Sequence, residues 1–198
     1  MPRLEILPRK LPQGASDRIG RGVARLGITP NLISIIGFAG NVGAALLIGS
    51  GELLWAGVVY LFFSALDMVD GAVARATNQA TPYGAVFDAV LDRASEAIVL
   101  GGCAWYFGAR GEYIQAAVTY AAVLGSVAVS YMRARAEING LFMREGIFRR
   151  QERVAVLGIG LLTGWLALAM WLLAVLSNLT AMQRFWLIAR GLREGEAS

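Results

Sequence analysis

The sequence predicts an all-α integral membrane protein: six transmembrane helices preceded by an N-terminal amphipathic juxtamembrane helix. Three observations carry this. Of 198 residues, 57% are hydrophobic and 16% charged, against roughly 45–50% and about 25% in soluble domains. The apolar residues gather into runs approaching the roughly 20 residues that a hydrocarbon core demands of a helix. Basic residues collect at 1–28, at 133–153 and after Trp186, while the short turns at 49–52 and 163–165 carry none and 108–112 only Arg110.

Residues 1–28 hold Arg3, Arg9, Lys10, Arg18, Arg21 and Arg25 and no apolar stretch long enough for a signal peptide. From Ser16, a candidate N-cap, Ile19, Val23 and Leu26 recur at helical spacing, with Arg18, Arg21 and Arg25 on another face. Such a helix lies in the membrane interface with its guanidinium groups at anionic lipid.

The first span runs from about Leu32 to Ile48 and ends at Gly49-Ser50-Gly51. The second begins near Leu53 and continues into the Asp67–Arg75 region. Thr81-Pro82-Tyr83-Gly84 reads as a turn, and the third helix extends from about Ala85 to Phe107. Gly108–Gly111 breaks the chain before a fourth helix from Tyr113 to Met132 or a little further. The apolar stretch Val154–Trp186 could form one very long helix but is better cut near Thr163-Gly164 into a short fifth and a longer sixth helix. An even number of spans with basic ends places both termini and the 133–153 loop in the cytoplasm. Trp55, Trp105 and Trp165 then fall near the opposite helix ends, as an aromatic belt. The expected organisation is a cytoplasmic arm over 1–28, a six-helix catalytic domain over 29–190 and a cytoplasmic tail over 191–198. Gly37, Gly40 and Gly43, at three-residue spacing, read as small-residue helix packing.

The chain has no histidine. That excludes Ser-His-Asp and Cys-His nucleophilic sites, imidazole-based zinc sites and phosphohistidine chemistry. The single cysteine, Cys103, sits in an apolar run and reads as a small buried hydrophobe. All the basic residues but Lys10 are arginine. Chemistry therefore falls to carboxylates, arginine and a hard metal ion.

Five acids interrupt the apolar helices: Asp67, Asp70, Asp88, Asp92 and Glu96. A carboxylate at mid-bilayer costs about 2.5–3.5 kcal/mol even on insertion scales, so several together need a reason. Asp67 and Asp70 are three residues apart, Asp88 and Asp92 four apart, and both spacings put a pair on one helix face. Two such pairs on antiparallel neighbours would repel unless a cation sits between them, and oxygen-only ligands select Mg²⁺ or Mn²⁺ over zinc. Gly71 removes a side chain beside Asp70, Gly84 does the same opposite, and Arg75 lies one turn on, where a guanidinium could hold a diphosphate. The arrangement suits transfer at a phosphate, with one carboxylate left to take a proton from an incoming hydroxyl. Spacing alone also allows intramembrane ion pairs with Arg75 and Arg93, or a divalent-cation transporter.

The run Asp67-x2-Asp70-Gly71-x2-Ala74-Arg75-x8-Gly84-x3-Asp88-x3-Asp92 resembles the signature of the CDP-alcohol phosphotransferases (CDP-alcohol phosphatidyltransferases) at every specified position. The resemblance implies six membrane helices, a juxtamembrane helix and a homodimer. It implies a divalent metal, Mg²⁺ or Mn²⁺, held by Asp67, Asp70, Asp88 and Asp92, with Asp92 as general base. It further implies that a CDP-linked lipid is bound through Gly71, Arg75, Thr81, Gly84 and the segment Asn31, Leu32, Ile33 and Ser34, which follows Thr29-Pro30.

Outside the signature, Ser130-Tyr131-Met132-Arg133-Ala134-Arg135-Ala136-Glu137 looks like the corresponding segment of the phosphatidylinositol-phosphate synthase branch. Glu152-Arg153 and Gln183-Arg184 are further matches. That resemblance implies CDP-diacylglycerol as donor and inositol phosphate as acceptor, its phosphate bound by Arg133, Arg153 and Arg184. The chain departs from the branch at position 133, where relatives often carry Lys; Arg presents a planar fork rather than a point charge. Physical reading agrees with an anionic acceptor, because Arg184 lies in the apolar stretch Leu179–Leu187, where a lone cation faces a cavity or a partner. The same chemistry with glycerol 3-phosphate or serine remains the alternative.

Overall fold

The computed structural model of the chain describes residues 29–76, 81–141, 146 and 148–196; of 68–76 and 194–196 it describes the backbone alone. The expected juxtamembrane helix, within residues 1–28, lies outside the described residues, as does the tip of the 133–153 loop. The described residues form six helices and no strand: α1 Pro30–Ser50, α2 Leu53–Ala76, α3 Pro82–Gly108, α4 Tyr113–Ile138, α5 Arg150–Thr163 and α6 Leu166–Glu196. The chain divides into two compact units, residues 1–99 and 100–198, with the division inside α3. Each unit is described by itself.

In the first unit, Thr29 and Pro30 start α1 as N-cap and first helical residue. The Thr29 hydroxyl accepts from the Leu32 N–H at 3.4 Å, and Pro at this position has no N–H to leave unpaired. Gly51, at φ +94°, ends the helix in the left-handed region, and the Glu52 N–H donates to the Leu47 carbonyl. α1 packs along α2. Its buried face, Ile33, Gly37, Gly40, Ala44 and Ile48, repeats at three- and four-residue steps, and α2 buries Ala56, Tyr60 and Ser64. Gly40 admits the Phe63 ring so closely that a Cβ there would overlap it. Small-residue packing is thus what the glycine spacing does at this position.

α3 begins three residues earlier than the sequence suggests. Pro82-Tyr83-Gly84 is its first turn rather than a connecting turn, because Thr81 caps it by accepting from the Gly84 N–H at 3.0 Å.

In the second unit, α4 packs on α6, and α5 on α6. Gly125 lets the helices approach: a Cβ there would lie 2.7 Å from Asn178 Nδ2 and 2.8 Å from Ser177 Cβ. Asn178 Nδ2 donates to the Ala174 carbonyl of its own helix and to the Ala121 carbonyl of α4, at 2.8 and 2.9 Å. Such a cross-helix bond is worth most where no water competes for the donor. The cut at Thr163-Gly164 is present, with Gly164 at φ +75°. Gly160 of α5 sits against Ala169 of α6, where a Cβ would come within 2.5 Å of the alanine methyl.

The fourth helix, expected to end at Met132 or a little further, runs six residues past Met132 and takes in both Arg133 and Arg135. α6 likewise continues through Glu196 and takes in Arg190 and Arg193. In both cases arginine side chains can extend beyond an apolar segment while the backbone stays helical. Among the described residues, three helical stretches are long and apolar enough to cross a membrane: Pro30–Ser50, Tyr113–Ile138 and Leu166–Arg193. Leu53–Asp67 is a shorter apolar stretch. The 14 residues of α5 extend about 21 Å, less than a typical hydrocarbon core of about 30 Å. Leu46, Phe62, Trp105, Trp165, Met182 and Phe185 are exposed large side chains, as lipid-facing residues would be.

Candidate active site: a carboxylate group and an arginine group

The signature residues belong to the first unit. Asp67 is half-buried on α2, and its carboxylate lies directly against the bare backbone of Gly37 on α1. Asp88, Asp92 and Glu96 recur at four-residue spacing on α3, also half-buried, so they share one helix face. The backbone of Asp70, Gly71 and Arg75 continues α2; the side chains of Asp70 and Arg75 lie outside the description. Among the described residues, no three carboxylate or thiol groups meet as a metal cage. The donors themselves are oxygen ligands suited to a hard cation, and the sole thiol, Cys103, is fully buried.

The start of α1 and the start of α3 come together. A Cβ at Gly84 would lie 3.1 Å from the Thr81 hydroxyl and 3.5 Å from Asn31 Oδ1. Asn31, Thr81 and Gly84, separate in sequence, therefore share one small region. Ser34 and Ile33 of the same segment are buried, with the Ser34 hydroxyl donating to the Pro30 carbonyl at 3.3 Å, and Leu32 is exposed. Arg93 turns back on its own helix, donating to the Ala89 carbonyl.

The arginine group belongs to the second unit. Arg184 is 7% exposed, and its Nη1 donates to the Val129 carbonyl of α4 at 2.8 Å. Its Nε is buried and has no acceptor among the described residues. Arg133, Arg153 and Arg149 lie near enough for their charges to act on it. Arg153 is buried on the first turn of α5. That turn is ordered by Glu152, whose carboxylate accepts from the Arg149 N–H in a capping arrangement. Arg133 is more exposed, its Nε donating to Glu137 Oε1 one turn on at 2.9 Å. The three arginines singled out in the sequence are thus neighbours in one unit. Arg149 joins them, and its only signal was membership of a basic run. A cluster of like charges around a half-satisfied buried guanidinium is repulsive by itself and is relieved by an anion.

The sequence profile for CDP-alcohol phosphatidyltransferase matches residues 27–189. The chain belongs to the CDP-alcohol phosphatidyltransferase family. Among its relatives, the phosphatidylinositol phosphate synthase of Mycobacterium marinum is 38% identical over 200 residues, covering 95% of this chain and 85% of the relative. The archaetidylinositol phosphate synthase of Pyrococcus horikoshii is 36% identical over 90% of this chain and 93% of its own. The fold is similar to a crystal structure of the Mycobacterium tuberculosis phosphatidylinositol phosphate synthase with CDP-diacylglycerol bound. There the TM-score is 0.80 and the identity 34%, over 87% of this chain and 92% of that one. A second structure of that enzyme, in complex with manganese and citrate, matches with a TM-score of 0.78 over 87% of this chain and 88% of that one. For this family member, the eight-position signature Asp67–Asp92 lies wholly inside the matched region, and so does Arg184.

Proposed function

We propose that this transferase moves the phosphatidyl group of CDP-diacylglycerol to a hydroxyl of inositol 1-phosphate, giving phosphatidylinositol phosphate and CMP. The observation that carries the anionic acceptor is Arg184, buried in an apolar helix with Nε unpartnered among the described residues and three further arginines acting on it. A neutral acceptor would leave that charge cluster uncompensated; a phosphate accepts from several guanidinium groups at once.

In this reading Arg133, Arg153 and Arg184 hold the acceptor phosphate and thereby fix where its hydroxyl lies. Asp92 takes the hydroxyl proton. The resulting oxygen attacks the lipid-linked phosphorus in line. The bond from that phosphorus to the bridging oxygen breaks, and CMP leaves with its electron pair. Asn31, Leu32, Ile33 and Ser34, with Gly71, Arg75, Thr81 and Gly84, form the seat of the CDP-lipid, where the bare backbone at 71 and 84 makes room for the nucleotide and Arg75 pairs with the diphosphate. Asp67, Asp70, Asp88 and Asp92 would hold a divalent cation, Mg²⁺ with Mn²⁺ as a substitute. When bound, it would supply charge neutralisation for the diphosphate.

The same reading places the chain in the cytoplasmic membrane as a homodimer of six-span subunits. The site and both termini face the cytoplasm, in keeping with the basic ends and the basic 133–153 segment. The deciding measurement is CMP release by purified protein given CDP-diacylglycerol and, in separate reactions, inositol 1-phosphate, glycerol 3-phosphate or serine. Release with inositol 1-phosphate is expected. Release with glycerol 3-phosphate and none with inositol 1-phosphate would overturn the acceptor assignment.

A further inference from the structure

Three residues of the segment joining α4 to α5 rest on α6. Leu141 packs at Gly191, where a Cβ would approach its side chain to 3.3 Å. The Phe148 N–H donates to Thr180 Oγ1 at 3.2 Å, with both residues buried. Between them, Gly146 meets the Arg184 guanidinium: a Cβ at 146 would lie 2.8 Å from Nη2, 3.2 Å from Nε and 3.4 Å from Cζ. Thr180, Arg184 and Gly191 are four and seven residues apart and so lie on one face of α6.

The Thr180 hydroxyl gives its proton to the Leu176 carbonyl at 2.7 Å, leaving its lone pair for Phe148. The segment is therefore tied to the helix one turn before Arg184. On its other side, the guanidinium is held by Val129. It cannot withdraw from position 146 without breaking that buried hydrogen bond. A side chain at 146 would have to displace either the head of Arg184 or the segment that Thr180 anchors.

We propose that Gly146 is a positioning residue for Arg184, and that its bare backbone sets where this guanidinium stands for the phosphate of the acceptor. The proposal rests on the assignment of Arg184 to that phosphate and adds what fixes the arginine in place. The effect belongs to acceptor binding and leaves the CDP-lipid seat untouched.

The test is a double-mutant cycle on the full-length protein in detergent, reading KM for inositol 1-phosphate, KM for CDP-diacylglycerol and inositol 1-phosphate binding by calorimetry. Gly146→Ala is expected to raise the KM and Kd for inositol 1-phosphate about tenfold, as small misplacements of a binding group do, with KM for CDP-diacylglycerol unchanged. Lysine has no Nη2, so on an Arg184→Lys background the same substitution is expected to cost less than about twofold; contacting residues couple in this way and distant ones add. An equal loss on both backgrounds, or a rise in both KM values, would overturn the proposal in favour of a general packing role. If Gly146→Ala does not fold, Thr180→Val decides: it removes the anchor for Phe148 without adding bulk at Arg184. A rise in KM for inositol 1-phosphate alone supports the proposal, and no change overturns it. Arg184→Ala separates the two levels. If it leaves inositol 1-phosphate binding intact, the acceptor-site assignment itself falls. If it abolishes binding while Gly146→Ala does nothing, only the role of Gly146 falls.

Discussion

The Asp67 carboxylate rests on Gly37, so that a Cβ on this residue of α1 would overlap Asp67 Oδ1. In the proposed metal site the Asp67 carboxylate would have to present its oxygens in a fixed direction, and a neighbouring helix supplies its floor. Gly37→Ala is expected to turn Asp67 away and weaken metal binding by about 10–100-fold, the usual cost of disturbing the support of a ligand. Mn²⁺ titration of the purified protein, followed by electron paramagnetic resonance, reads this directly. Unchanged Mn²⁺ affinity in Gly37→Ala together with lost affinity in Asp67→Asn would show that Gly37 matters for packing alone.

Asp92 is half-buried on the same face of α3 as Asp88. Asp92→Asn keeps the shape and removes the proposed proton acceptor, so CMP release at saturating substrates is expected to fall by about 10²–10⁴-fold. CMP release at the wild-type rate would show that another group takes the proton.

Arg184→Ala is expected to raise KM for inositol 1-phosphate about tenfold to a hundredfold, from roughly 1.5–3 kcal/mol for a hydrogen bond to a charged group. KM for CDP-diacylglycerol should not move. Initial-rate measurements that vary each substrate in turn separate the two effects.

Gly125→Ala is expected to destabilise the α4–α6 pair by about 1–3 kcal/mol, the typical cost of overpacking. The added methyl would meet Ser177 and Asn178, and the bond from Asn178 to the Ala121 carbonyl holds that residue against α4. A lowered Tm in detergent, with KM values for both substrates unchanged, is the expected pattern.

The shared face of the α3 acids was legible because helical periodicity is local. Asp88 and Asp92 share a face by spacing alone, and the break at Gly164 was visible as the better cut in a stretch that could form one very long helix. The extensions of α4 to Ile138 and α6 to Glu196 were not visible in hydropathy, which falls where the arginines begin although the helix continues. Gly37 and Gly40 looked alike in sequence. Only their partners, a carboxylate and a phenyl ring, separate their roles. Gly146 carried no signal at all.

The sequence by itself determined the helical, membrane-type character of the chain, the faces on which its acids fall, and its family. Each follows from composition, periodicity or fixed spacing within a few turns of chain. Tertiary structure alone decided which arginines come near enough for their charges to act on Arg184, that the Val129 carbonyl and Gly146 meet its guanidinium, and that Asp67 is seated on Gly37. These relations join residues tens of positions apart. They depend on how closely two helix backbones approach, a quantity set by side-chain volume on both partners and encoded in neither segment separately.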